Sequence, residues 1–184
     1  MSFRTETLKA MVQTGSETYK EGVRVSTLLD DKAQKTGAIA GLFLVAALGF
    51  LKPSDIRSLV ESVGLLGTVF LTCEVIVLVT CLSICLSVMW LRGIPLPVNL
   101  SSQIYLTEDL FKLPDDQITE DHQRAFYYDQ IEIWKSVLDK QGAVNQSKAR
   151  RLFLAQLSLA LSVLLTAVLL VLLAVMAYTD VPTL

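Results

Sequence analysis

The sequence predicts an all-α, polytopic membrane protein with three transmembrane helices and a cytoplasmic helical bundle. Three apolar runs carry this prediction: residues 36–51, 62–91 and 152–178, which are 16, 30 and 27 residues long. About 20 apolar helical residues suffice to cross a hydrocarbon core about 30 Å thick. The composition agrees, because 52% of the residues are hydrophobic, 18% are charged and the mean hydropathy is +0.51.

The rest of the chain is too short to hold a catalytic domain of ordinary size, so we expect no enzyme and no catalytic residues. The net charge of -2 and the pI of about 5.4 argue against nucleic-acid binding, which takes a basic patch or stripe. His122 is the only histidine, and the three cysteines lie within the second apolar run, where we expect them to pack as small apolar residues. The sequence therefore predicts no metal site.

Residues 1–35 are predicted to form a cytoplasmic amphipathic helix, because apolar side chains recur at roughly helical spacing among charged ones. Gly15 and Gly22 are expected to interrupt it. Two placements are open for this segment: a stalk that continues into the first span, or a surface helix lying on lipid headgroups.

Residues 36–91 are predicted to form a transmembrane hairpin, with spans at 36–51 and 62–91. The first run begins well inside the chain and lacks a basic leader and a cleavage site, so it is interpreted as a span rather than a signal peptide. Pro53 gives it a sharp end, because proline disfavours helix in the preceding residue. Gly37 and Gly41 form a GxxxG pair, a sequence that allows two helices to approach closely.

Residues 92–151 are predicted to be a cytoplasmic insert, residues 152–178 the third span and residues 179–184 an external tail. The insert opens as a loop with a small helix near 107–113. A long helix is then expected from an N-cap at Asp116 or Thr119, with a bend near Gly142.

An apolar stripe runs along that long helix at steps of three and four residues, formed by Tyr127, Ile131, Trp134 and Leu138. We expect the stripe to pack against the N-terminal helix and so to build the cytoplasmic bundle.

The distribution of Lys and Arg predicts the orientation. There are six before the first run, two in the turn after it, eight in the insert and none after the third run. Because cytoplasmic flanks carry the excess of basic residues, the N-terminus and the insert are placed in the cytoplasm, and the turn and the C-terminus outside.

Glu74 is the only charged residue in the second run and lies near its middle. Such a carboxyl group commonly faces a bundle interior or an aqueous path. Two interpretations are open: an acidic ring in an oligomeric pore, or a neutral acid bonded to a neighbouring helix through Ser158, Ser162 or Thr166. Those three hydroxyls follow one face of the third span, where they serve as interhelical contacts or as pore-lining groups.

Basic side chains border the spans on the cytoplasmic side: Lys32, Lys35, Lys148, Arg150 and Arg151. They are predicted either to anchor the chain at lipid headgroups or to contact an anion or nucleotide. Asp30 and Asp31 are expected to form salt links with this cluster, links that an anionic ligand would loosen.

Three stretches resemble a known family. They are LLDDKAQKTG at 28–37, YDQIEIW at 128–134 and QSKARR at 146–151, of which the first and last lead into spans. They resemble the transmembrane domain of Pycsar effectors and the related SLATT membrane effectors, over residues 23–179. The resemblance implies a bacterial anti-phage effector that responds to a nucleotide second messenger and damages the inner membrane. This chain departs from those families in its long second run, and none of its residues matches a nucleotide-binding site, so a partner protein could do the sensing.

The resulting hypothesis is a homo-oligomeric effector of abortive infection in the bacterial inner membrane. It would form a pore or otherwise permeabilise the membrane when triggered by a cyclic nucleotide or a sensor protein, without a bound cofactor. Two alternatives stay open: a non-conducting membrane anchor for a cytoplasmic partner, and a small ion channel centred on Glu74.

Overall fold

The computed structural model describes residues 3–49, 53–91, 112 and 118–179, and every regular element among them is an α-helix. The helices are α1 (Phe3–Gly49), α2 (Pro53–Trp90) and α3 (Glu120–Thr179). The predicted all-α class is confirmed. The predictions made for the loop and small helix of the insert, for an N-cap at Asp116 and for the tail after residue 179 lie outside the described residues.

The sequence analysis placed the end of the first helix before Pro53 and the start of the second span at Ser62. α1 ends at Gly49 and α2 begins at Pro53. Proline suits the first position of a helix, because the N–H that it lacks would have no partner there. α2 starts before the apolar run that begins at Ser62, so part of this helix is more polar than the predicted span.

Thr119 caps the start of α3, as predicted. The Thr119 backbone N–H donates to Nδ1 of His122 over 3.2 Å, and the Thr119 Oγ1 lies 2.9 Å from the same nitrogen. This arrangement resembles a capping box, in which the third helical residue reaches back to the backbone of the cap. The only histidine in the chain therefore helps to start a helix.

The expected interruptions of α1 at Gly15 and Gly22 were wrong, since α1 is one continuous helix of 47 residues. Both glycines instead make room for side chains of α3. A Cβ atom on Gly15 would lie 3.0 Å from Cγ of Trp134, and one on Gly22 would overlap the Gln141 side chain. α3 likewise continues as a helix through Gly142.

The chain divides into two compact units. The first unit contains Met1–Leu28 and Arg92–Ser147, and the second contains Leu29–Leu91 and Lys148–Leu184. α1 and α3 each contribute residues to both units, whereas α2 belongs to the second.

In the first unit α1 and α3 pair side by side in the same direction. The Thr5 hydroxyl donates to Glu120 near the start of the pair, and the Asn145 amide donates to the Gly22 carbonyl oxygen near its end. Between them the rings of Tyr19 and Trp134 lie 5.7 Å apart. The predicted packing of the apolar stripe against the N-terminal helix is thus present at Trp134.

Two amide side chains fix how α3 is aligned with α1 in this unit. Nε2 of Gln141 donates to the Tyr19 carbonyl oxygen over 3.2 Å, and Nδ2 of Asn145 donates to the Gly22 carbonyl oxygen over 2.9 Å. Gln141 is 2% exposed, so an amide displaced from this bond would lose a partner in a buried place. The sequence analysis did not single out either amide.

Replacing Gly22 by Ala is expected to lower the stability of the first unit. The added methyl group would push the Gln141 amide out of its hydrogen bond, at a cost of about 1–3 kcal/mol, of which better helix propensity returns up to about 1 kcal/mol. Gly142→Ala is the matched control, because no atom of the described residues that face it lies within 4 Å of a Cβ atom placed there, and the same propensity gain should stabilise the helix. Thermal unfolding followed by circular dichroism measures both variants. A higher melting temperature for Gly22→Ala would contradict the predicted overlap.

The second unit contains all three helices. α2 runs opposite to α3, because Glu74 bonds to Thr166 whereas Cys81 bonds to the carbonyl of Ala155. Ala40 and Ala155 pack in one core cluster with Leu78, Cys81 and Cys85. A second cluster joins Ala33 of α1, Val88 of α2 and Leu152 of α3. From these clusters, α1 also runs opposite to α2.

Buried positions on α2 follow a strict alternation of four- and three-residue steps: Gly67, Leu71, Glu74, Leu78, Cys81, Cys85 and Val88. A period of 3.5 residues is the pattern of helices that wind around one another with interlocking side chains. On α1 the buried positions Ser26, Ala33, Ala40 and Ala47 repeat every seven residues. Their small side chains let helix backbones approach closely.

Among the described residues, two helices are long and apolar enough to cross a membrane: α2 over Gly67–Trp90 and the apolar part of α3. The chain itself buries 28% of the most apolar stretch of α2 and 11% of that of α3. A core helix of a water-soluble protein would be mostly buried. Large apolar side chains instead face outward, including Ile76 and Leu86 at 59% and 60% exposure and Leu164 at 61%. This surface is compatible with a lipid environment.

Candidate functional site

The candidate site lies inside the second unit, where α2 meets α3 at Glu74. Because Glu74 occupies one of the buried positions of α2, its side chain turns toward α3 and is only 4% exposed. The Thr166 hydroxyl lies 2.5 Å from Oε1 of Glu74. The predicted hydrogen bond from Glu74 to the third apolar run is therefore present, and Thr166 is the residue that makes it.

The Thr166 hydroxyl also lies 3.0 Å from the carbonyl oxygen of Ser162. A hydroxyl has one proton, so Thr166 can donate to only one of these two acceptors at a time. The carboxyl group of Glu74 and the Ser162 carbonyl oxygen therefore compete for the one proton on Oγ1 of Thr166.

The other two predicted hydroxyls form no hydrogen bond to the described residues of α2. Ser158 donates to the Leu154 carbonyl oxygen of its own helix over 3.0 Å. Ser162 is fully buried, and its Oγ has no hydrogen-bond partner within the described part of the chain. The three hydroxyls thus occupy three different environments.

Two of the three cysteines behave as predicted. Cys81 and Cys85 are buried in the core cluster, and Sγ of Cys81 lies 3.2 Å from the Ala155 carbonyl oxygen. Cys73 is exposed, so it does not pack in the core, and all three thiols are free.

Of the two glycines in the GxxxG pair of α1, only Gly37 lies close to another helix among the described residues. A Cβ atom on Gly37 would lie 3.5 Å from Cβ of Cys85, whereas none of the described atoms lies within 4 Å of such an atom on Gly41. Gly37 therefore faces α2 inside the chain, whereas Gly41 has no such close contact among the described residues.

Among the basic residues bordering the apolar runs, Lys148 differs from the rest. It is 1% exposed, and its Nζ donates to both carboxylate oxygens of Asp30 over 2.7 and 2.8 Å. The expected salt link with Asp30 is confirmed. The interpretation of Lys148 as a headgroup or ligand contact needs correction, because its ammonium group is enclosed between α1 and α3.

The remaining four basic side chains, Lys32, Lys35, Arg150 and Arg151, are exposed. Their predicted contact with lipid headgroups or a soluble anion stays a prediction. Asp31 is exposed as well, and no ion pair to it is found among the described residues.

The apolar stripe on α3 divides into a packed part and an open part. Trp134 packs against Gly15 and Tyr19. Ile131 and Leu138 are partly exposed and line a groove together with Met11 of α1. Tyr127 lies beside Phe126, with ring centroids 5.7 Å apart.

The described residues hold no group of three or more His, Cys, Asp or Glu side chains placed to bind a metal ion. No protein-family model, curated protein or solved structure matches the chain.

Proposed function

We propose that the chain is a membrane effector of prokaryotic anti-phage defence, which permeabilises the inner membrane when it is triggered. The observation that carries this proposal is the buried carboxyl group of Glu74, held by Thr166 in the middle of two apolar helices whose other faces are exposed. An ionisable group within a span is costly to keep and commonly serves a function.

In this proposal all three helices cross the bilayer. Support for a crossing by α1 comes from its packing, because Ala33 lies beside Val88 and Ala40 beside Cys81 of α2. If α2 lies in the membrane, residues of α1 beyond Ala40 lie at the same depth. Leu42 and Val45 of this segment are 72% and 71% exposed, as residues that face lipid would be.

The opposite directions of neighbouring helices agree with three successive crossings. The excess of Lys and Arg before α1 and between α2 and α3 supports a cytoplasmic N-terminus and an external C-terminus. The bacterial inner membrane is the membrane proposed, as the resemblance implies.

We assign the present packing to the closed state. Glu74 faces the interior of its own chain and is held there by a short hydrogen bond, which favours a packing role while the helices are in this arrangement. Opening would separate α2 from α3 and turn Glu74 toward a water-filled path between several copies of the chain.

The trigger is proposed to be a nucleotide second messenger or a partner protein that acts on the first unit. α1 and α3 each run unbroken from residues of the first unit to residues of the second. A change in the packing of α1 against α3 would therefore be transmitted along both helices to the segments proposed to span the membrane.

Induced expression in bacteria tests the proposal. Phage challenge or a supplied cyclic nucleotide should arrest growth within minutes and admit a normally excluded dye. Cells in which the chain is present in the membrane fraction but that grow normally under every trigger would contradict an effector function.

A second candidate function is a non-conducting anchor for a cytoplasmic partner. The observation in its favour is the apolar groove of the first unit, about 530 Å³ in volume, where Met11 is 52% exposed beside Ile131 and Leu138. An anchor would cause neither growth arrest nor dye entry, so the same experiment separates the two candidates.

A further inference from the structure

We propose that a groove at the end of α2 binds an anionic phospholipid, with Arg151 holding its phosphate. The groove has a volume of about 390 Å³ and is lined by Leu86, Ser87, Trp90, Leu91 and Arg151. All five belong to the second unit. The inference rests on the membrane placement proposed above and adds to it a defined site and a class of ligand.

The lining of the groove matches the two ends of a phospholipid. Leu86 and Trp90 are 60% and 87% exposed and offer an apolar wall. Arg151 is the single charged residue among the described residues of the lining, and a guanidinium group presents several N–H donors in a fork that fits phosphate oxygens. A small soluble anion would use Arg151 but would leave the apolar wall uncovered, so the lining favours a lipid.

The position of the groove along the helices points to the same ligand. Trp90 is the last residue of α2, and Arg151 directly precedes the apolar run of α3. Tryptophan is enriched at the boundary between hydrocarbon and headgroups, because its ring is apolar and its N–H is polar. A lipid phosphate lies at that depth, whereas the acyl chains extend along the apolar helices.

No acidic side chain among the described residues competes with a phosphate for Arg151. The carboxylate of Asp30 is engaged with Lys148, and Arg151 forms no hydrogen bond or ion pair with the described part of the chain. Ser87 donates its hydroxyl proton to the Ile84 carbonyl oxygen over 2.7 Å. The Ser87 oxygen therefore remains an acceptor for a headgroup hydroxyl such as that of phosphatidylglycerol.

Arg150 provides a matched control. It is adjacent in sequence, carries the same charge and is exposed, but it does not line the groove. Any general attraction between basic residues and an anionic surface acts on both arginines, whereas binding in the groove requires Arg151.

Quenching of Trp90 fluorescence tests the site. The chain has two tryptophans, so Trp134→Phe leaves Trp90 as the reporter of the groove. The protein is reconstituted in vesicles that contain chain-brominated phosphatidylglycerol or chain-brominated phosphatidylcholine at equal mole fractions. We expect about a fivefold preference of the groove for phosphatidylglycerol, the ratio that one basic residue near a membrane typically provides. The preference should persist in Arg150→Gln and disappear in Arg151→Gln.

The possible outcomes test the proposed lipid site and the proposed membrane placement separately. Equal quenching by both lipids in the protein with intact Arg151 would overturn the lipid site and leave the membrane placement standing. Absence of quenching by either lipid would overturn the membrane placement and the site together. Loss of the preference on addition of soluble glycerol phosphate would show that the groove takes a free phosphate, which would overturn the assignment to a lipid.

Discussion

Asp30→Asn is expected to destabilise the protein strongly. Lys148 would keep its charge at 1% exposure and lose the carboxylate that accepts two of its hydrogen bonds. Removing one partner of a fully buried ion pair typically costs about 2–5 kcal/mol, because the remaining charge is left in a place that solvates it poorly. The Asp30 side chain is 38% exposed, so water screens part of this pair and we expect a loss of about 2–3 kcal/mol. For a chain of this size the melting temperature should fall by about 4–12 °C.

Two further variants make this prediction specific. Asp31→Asn removes the same charge from the adjacent exposed position and should change the melting temperature little. Lys148→Met added to Asp30→Asn removes the stranded charge and should recover most of the loss. Thermal unfolding of the purified protein in detergent compares all three. Equal stability of Asp30→Asn and Asp31→Asn would contradict the enclosed ion pair.

The second prediction with a large effect is the labelling of cysteines, which shows on which side of the membrane each segment lies. In a background with the three native cysteines replaced by alanine, single cysteines are introduced at Gln13, Ser54, Ser136 and Thr183. Three crossings predict that a membrane-impermeant maleimide labels Ser54→Cys and Thr183→Cys in intact spheroplasts. Gln13→Cys and Ser136→Cys should become labelled only after the membrane is permeabilised.

If one of these helices does not cross the membrane, the labelling pattern identifies which one. Protection of Ser54→Cys would mean that α1 does not cross, and protection of Thr183→Cys would mean that α3 does not cross. The contrast between labelled and protected positions is nearly all-or-none, because a charged maleimide passes through a bilayer very slowly.

Much of the fold could be predicted from local chemistry. Pro53 is the first residue of α2, and Thr119 directly precedes α3 and contacts the His122 ring. The partners Glu74 with Thr166 and Asp30 with Lys148 could be anticipated as well. A buried polar group needs a polar partner, and few polar side chains lay at a matching depth on the other helices.

The errors came from residues whose role depends on a neighbour distant in sequence. Gly15 and Gly22 suggested breaks in α1, because glycine weakens an isolated helix, but here the missing side chains admit Trp134 and Gln141. Lys148 was interpreted like the other basic residues that border the spans. Its burial depends on how closely α1 and α3 approach, which the sequence around Lys148 does not show. The seven-residue repeat of Ser26, Ala33, Ala40 and Ala47 was the sequence signal that would have revealed this close approach.

The Glu74→Gln variant separates the proposed role of Glu74 in permeabilisation from its role in packing. The amide is neutral, has nearly the same shape and can still accept the Thr166 hydroxyl proton, so the closed packing should be kept. It cannot ionise when α2 and α3 separate. We therefore expect this variant to assemble in the membrane as the native chain does and to fail at permeabilisation.

The most direct measurement is the membrane potential of bacteria that express the native chain or Glu74→Gln, with and without phage or a supplied cyclic nucleotide. We expect a rapid, trigger-dependent loss of potential with the native chain and a retained potential with Glu74→Gln at equal amounts in the membrane. A potential that stays intact with the native chain under every trigger would contradict the effector function.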